Sequence, residues 1–175
     1  GTLITFEDEE TEMEQAIISG IAFNRDEAKI TLMQVPDTPG VAFKILGPVS
    51  KANIDVDMII QNQSTNGTTD FSFIVHRNEY KKPMEVLQNE VVGVINAKQV
   101  IGDDQVCIVS AVGIGMRSHV GVASLMFETL SKSGVNIQMI STSEIKISVV
   151  IDDKYMELAV RELHKAFDLE QTESV

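Results

Sequence analysis

"GVAFKILGPVSKANIDVDMI" (residues 40–59) and "GVASLMFETLSKSGVNIQMI" (residues 121–140) align without a gap at a constant offset of 81, sharing Gly-Val-Ala, Ser-Lys and Met-Ile. An internal duplication explains that match, and it sets the fold. Val41, Ala42, Ile45, Leu46 and Val49 form an i, i+1, i+4, i+5, i+8 stripe, which Val122, Ala123, Met126, Phe127 and Leu130 repeat. Both stretches therefore predict one-sided helices. Each is followed by period-2 alternation: Ile54, Val56 and Met58 against Asp55 and Asp57, then Val135, Ile137 and Met139 against Asn136 and Gln138. That spacing predicts a strand with one apolar face.

Working outward, an apolar strand precedes each helix, "KITLMQV" (29–35) and "QVCIVSAV" (105–112). Another follows each, "DFSFIV" (70–75) and "EIKISVVI" (144–151). A second helix comes next in both copies, "NEYKKPMEVLQNEV" (78–91) and "DDKYMELAVRELHKAF" (152–167). Asp152 is the expected N-cap of the latter, with Met156, Ala159, Val160, Leu163 and Phe167 on one side. The first copy closes with a strand expected near "VVGVINAKQVI" (91–101), whereas the second runs into the polar "DLEQTESV". The unassigned apolar segment "QAIISGIAF" (15–23) is expected to supply that missing strand. The fold class is thus α+β, two ferredoxin-like βαββαβ modules, each an antiparallel sheet with helices on one face. The expected organisation is a flexible acidic lead-in over 1–13, the N-terminal strand of the second module over 14–24, the first module over 25–102, the second over 103–168 and a flexible tail over 169–175. Gly47-Pro48 inside the first helix is expected to bend it or end it early, because the ring removes a backbone donor. Pro83 is expected in the opening turn of its helix.

Composition narrows the function. With 14 basic against 26 acidic residues the net charge is −12, which disfavours nucleic acid, since a phosphate backbone would be repelled over most of the surface. No apolar run approaches the roughly 18 residues of a membrane span. No secretory signal is visible, and the single Cys107 has no partner for an internal disulfide, so a reducing cytoplasm is expected. Gly113-x-Gly115 matches part of a dinucleotide fingerprint, but Ser118 occupies the third glycine position and Val135 and Asn136 stand where its acid would be. There is no Walker sequence, no nucleophile elbow and no metal spacing among His76, His119 and His164, so neither cofactor nor catalytic site is expected.

The turn Asp37-Thr38-Pro39-Gly40 has two readings. It is good turn chemistry in its own right. It also opens a helix whose exposed amides, near Gly40, Val41 and Ala42, suit a carboxylate, while Asp37 suits an ammonium group. Gln61 and Asn62, at the end of the next strand, can donate and accept to a hydroxyl or an α-amino group. Together they fit the two ends of a free amino acid.

The stretches "VPDTPGVA", "VDMIIQNQS", "TTDFSF", "GIGMRSHVGVA" and "NIQMISTSEIKISVVI" resemble the paired ACT domains that regulate aspartate kinase, over about residues 14 to 168. In that family the tandem unit occurs either as the C-terminal half of a kinase chain or as a separate regulatory subunit. The resemblance implies a non-catalytic chain that forms a homodimer through ACT–ACT pairing and serves an aspartate kinase catalytic domain or subunit. It implies L-threonine, alone or with L-lysine, as effector. Carried onto this sequence, the effector contacts are Asp37, Gly40, Val41, Ala42, Gln61 and Asn62, with Asn136 and Ile137 from the facing chain. A second effector site would involve Asp57 with Thr142, Ser143 and Glu144. The second copy has Arg117-Ser118-His119-Val120-Gly121 in place of the Asp-x-Pro-Gly turn, so an equivalent threonine pocket is not expected there. The competing reading is a stand-alone ACT-type sensor that controls a different enzyme.

Overall fold

The computed structural model describes residues 18–62, 66–116 and 120–169. The expected lead-in 1–13, the start of the strand at 14–17, Arg117, Ser118, His119 and the tail from 170 lie outside these described residues. Along the chain come β1 (Ile18–Pro36), α1 (Val41–Lys51), β2 (Asp57–Gln61), β3 (Thr68–His76), α2 (Lys81–Val86), a π-helical turn (Leu87–Val91) and α3 (Val92–Ile95). Then follow β4 (Gln99–Gly113), α4 (Val120–Lys132), β5 (Met139–Thr142), β6 (Lys146–Asp152) and α5 (Met156–Ala166).

Two compact units result, one over Asp26–Val106, the other joining the described residues up to Arg25 to those from Cys107 onward. In the 26–106 unit the strand order is β2-β3-β1-β4, and in the other it is β1-β4-β6-β5. Each order is that of a ferredoxin-like βαββαβ module. β1 and β4 each cross the boundary and give one stretch to each unit. The described part of "QAIISGIAF" (18–23) and "KITLMQV", read as separate strands, are therefore stretches of one strand, and so are the end of "VVGVINAKQVI" and "QVCIVSAV". The polar residues between them do not break the strand, because an extended backbone does not require apolar side chains.

Burial follows the repeat. Val41, Ile45 and Val49 of α1 are buried, as are Val122, Met126 and Leu130 of α4, the same three positions at the 81-residue offset. In the first unit they pack with Ile30, Leu32, Phe71 and Phe73. In the second they pack with Val109, Ile147, Val149 and Leu163, and Ile18 and Ile21 of β1 lie against that core. Asn53 (φ 62) and Gly134 (φ 74), again 81 apart, take the left-handed conformation that ends each helix. On the sheet, a cross-strand hydroxyl pair recurs as well: Thr31 with Ser72 at 2.8 Å and Ser110 with Ser148 at 2.7 Å.

Three local expectations need correction. Pro48 does not end α1 early: the helix runs to Lys51, and the Ala52 amide donates to the Pro48 and Val49 carbonyls. Fully buried Val49, one turn beyond Ile45, holds that last turn in place against the missing donor. Residues 92–95 are helical, not strand, because Leu87, Val91 and Ile95 are buried at four-residue spacing. Asn96 (φ 64) then ends the helix, and β4 starts only at Gln99. Finally, β2 and β5 begin at Asp57 and Met139, so Ile54–Val56 and Val135–Gln138 carry the alternation before regular pairing starts.

Tyr80 lies across Gly102 so closely that a Cβ there would overlap its ring and hydroxyl. Gly102→Ala is therefore expected to lower the unfolding free energy by about 1–3 kcal/mol, read from a denaturant midpoint at unchanged m-value.

Candidate functional site

The 26–106 unit gathers the first group of candidates at one end of its sheet. β1 leaves through a bulge: the register against β3 shifts between Leu32 and Val35, and Gln34 (φ 51) donates its amide to Asp70 Oδ1 at 3.0 Å. Such bulges re-aim a strand end. Past it, the Asp37 amide donates to the Gly67 carbonyl at 3.0 Å, which ties the turn to the β2–β3 connection. Thr69, paired with Val35, donates its hydroxyl to the Asn62 carbonyl at 2.9 Å. Asp37, Gly40, Val41, Ala42, Gln61 and Asn62 thus share one end of the unit.

Gly40 adopts φ 85 and ψ −3, a left-handed conformation that costs a side-chain-bearing residue about 1–2 kcal/mol. Nothing lies within 4 Å of where its Cβ would stand, so that space is open to a ligand. α1 has no side-chain cap at its start and no acidic residue in its first turn. The Val41 amide is already committed to the Thr38 carbonyl at 3.3 Å, and the Lys44 amide to that of Gly40 at 3.1 Å. The donors the helix leaves without an internal acceptor are those of Ala42 and Phe43. Phe43 is thereby a candidate that the sequence did not single out, and Val41 contributes a buried side chain instead of an amide. Asp37, Gln61 and Asn62 are exposed.

In the other unit, Asn136 and Ile137 line a recess of about 440 Å³ with Phe127, Ser131, Gly134 and Val135. Thr142, Ser143 and Glu144 form the β5–β6 turn, closed by the Ser143 amide on the Lys146 carbonyl at 2.9 Å. The Glu144 and Ile145 carbonyls accept from the Met116 and Gly113 amides at 3.0 and 2.8 Å, binding the turn to the exit of β4.

Asp57 lines a second recess, about 380 Å³, in the 26–106 unit, together with Glu27, Asp55, His76 and Glu79. Asp57 Oδ1 accepts from the Met58 amide at 2.8 Å, and Met58 itself is at φ 46. Glu27 faces His76 across β1 and β3. Burial pushes the Glu27 carboxyl above its ordinary value; Asp57 and Asp26 add to the rise, and His76 and Arg77 oppose it. No local pattern in the sequence announces this recess, because its acids come from β1, the approach to β2 and the turn after β3. Among the described residues, no group of three or more His, Cys, Asp or Glu is placed to hold a metal ion. Nor is any helix long and apolar enough to cross a membrane.

ACT-domain family profiles match residues 29–91 and 109–167. An aspartate kinase of Pseudomonas putida is 66% identical over 170 residues, which are 97% of this chain but 41% of that protein. The chain thus spans about two fifths of the length of that relative. A crystal structure of aspartokinase alpha and beta subunits contains a chain 62% identical, with a TM-score of 0.81, covering 87% of this chain and 99% of that one. The ligand-free regulatory subunit of aspartate kinase from Thermus thermophilus is 36% identical, with a TM-score of 0.82 and coverages of 86% and 99%.

A raised carboxyl pKa makes the folded state hold its proton longer than the unfolded one, so that stability falls as pH rises from the ordinary glutamate value near 4.5 through the folded value. Glu27→Gln removes that dependence. Its melting temperature relative to the parent is expected to be higher at pH 7 than at pH 4, checked by thermal melts across that range.

Proposed function

Since this chain belongs to the aspartate kinase family as its regulatory, ACT-domain part, we propose that it binds L-threonine, alone or with L-lysine, in a homodimer and so inhibits an aspartate kinase catalytic domain or subunit by feedback. The observation that carries the reading is the open helix start at Gly40, held beside Asn62 by the Asp37–Gly67 and Thr69–Asn62 bonds. Threonine's carboxylate takes the Ala42 and Phe43 amides, its ammonium group meets Asp37, and Gln61 and Asn62 serve its hydroxyl. Asn136 and Ile137 of the second copy close the seat from their recess.

The Asp57 recess supports lysine as a further effector: Glu27, Asp55, Asp57 and Glu79 around one concavity favour a side-chain ammonium. Thr142, Ser143 and Glu144 are its proposed complement. An effector held between two copies favours the closed arrangement by its differential affinity, and a coupling of about 1–3 kcal/mol changes activity about 5- to 150-fold.

Titration calorimetry with L-threonine should give heat, and saturating effector should raise the melting temperature. Asp37→Asn should weaken binding about 10- to 100-fold, from the loss of one charge-assisted contact. No heat and no thermal shift at millimolar threonine would sink the proposal. For the second seat, Asp57→Asn should weaken lysine binding while leaving the threonine isotherm within about twofold; equal losses for both would place them in one site.

A further inference from the structure

Along α5, two rows of side chains run at four-residue spacing: Met156, Val160 and His164 in one, Glu157, Arg161 and Lys165 in the other. That spacing stacks each row on successive turns of the helix. Phe23 and Arg25 of β1, two residues apart and so on one face of the strand, form the opposite wall. The recess between them, about 370 Å³, lies wholly within the unit that joins the described residues up to Arg25 to those from Cys107 onward. It has the size of a small-molecule site.

Floor and rim differ in chemistry. Phe23, Met156 and Val160 make the floor apolar, and the Phe23 ring is 43% exposed. Arg25 lies over that ring, its guanidinium carbon 5.5 Å from the centroid, and among the described residues no carboxylate pairs with it. Arg161 and Lys165 share a single carboxylate, Glu162, at 3.4 and 3.6 Å. The cations Arg25, Arg161 and Lys165 thus outnumber the acids Glu157 and Glu162 here, on a chain of net charge −12. An exposed ring and an unpaired guanidinium leave two needs unmet, a cover and a counter-charge. We propose that the recess binds a small organic acid with an apolar body, an aryl or medium-chain monocarboxylate, its body on Phe23, Met156 and Val160 and its carboxylate on the rim arginines, Arg25 and Arg161.

Charge and length select this class. A guanidinium presents a fork of donors that matches the two oxygens of a carboxylate. Three rim cations disfavour a basic ligand, while Glu157, Glu162 and the acidic protein around them oppose a polyanion, so a single negative charge fits best. The row from Met156 to His164 covers about 12 Å of helix axis, enough for a ring with a short chain but not for a long lipid tail. This seat shares no residue with the effector sites proposed above; either can fail without the other.

Amide NMR titrations of the full chain with phenylbutyrate, and in parallel with its neutral amide, phenylbutyramide, test it. The acid should give saturable shifts at Phe23, Arg25, Val160 and Arg161, and it should bind about 5- to 20-fold more tightly than the amide, from one charge-assisted contact at a partly exposed site. Arg25→Gln/Arg161→Gln, which neutralises two exposed side chains, should bring the acid down to the affinity of the amide. Melting curves establish that this variant is folded; if it is not, the comparison of acid and amide on the parent decides alone. Equal affinities for acid and amide, no saturable shift at millimolar phenylbutyrate, or an unchanged affinity in the folded variant overturns the proposal. So do saturable shifts that leave Phe23, Arg25 and α5 unmoved.

Discussion

The backbone hydrogen bond from the Asp37 amide to the Gly67 carbonyl joins the start of α1 to the β2–β3 connection, and with the Thr69–Asn62 bond it shapes the candidate effector seat. That closure adds to the Val35–Thr69 and Pro36–Thr68 pairing and the Thr69–Asn62 bond, which already bring the end of β1 beside the end of β2. The bulge at Gln34 aims β1 toward this closure, and Asp70 holds the bulge by accepting the Gln34 amide. Gly40 then turns the chain through a left-handed residue beside open space, and α1 begins without a side-chain cap. A left-handed glycine, a missing cap and the Asp37–Gly67 bond together suit the proposed carboxylate seat.

The two modules solve the same problem differently. In the second, the β4 exit is bonded to the tight β5–β6 turn through Gly113 to Ile145 and Met116 to Glu144. Its helix begins at Val120, so Gly121 lies inside the first turn, whereas Gly40 lies outside the first turn of α1. The duplication therefore preserves the core positions while the loops before the two helices diverge, as expected where packing constrains the helices more than the connections.

The fold was legible because apolar period survives duplication: Val41, Ile45 and Val49, and their counterparts at offset 81, are the buried residues. The strand ends were less so. Pairing at β2 and β5 starts later than alternation suggests, because burial and ladder hydrogen bonds have different limits. The π turn at Leu87–Val91 and the positive φ at Gln34 and Met58 leave no mark in residue type; at Gln34 the backbone is held by Asp70, distant in sequence. At the site, Asp37 and Gly40 were visible as turn chemistry. The commitment of the Val41 amide to Thr38 and the acidic recess around Glu27 required coordinates, the first because it depends on the turn's backbone geometry and the second because its acids come from several elements.

If the amides at the start of α1 receive an amino acid's carboxylate, as proposed, their resonances must report it. A two-dimensional amide NMR titration with L-threonine reads those donors directly. The Ala42 and Phe43 resonances should shift downfield and gain protection from solvent exchange, while the committed Lys44 amide changes little. Saturation accompanied by shifts elsewhere, with Ala42 and Phe43 unmoved, would contradict the account.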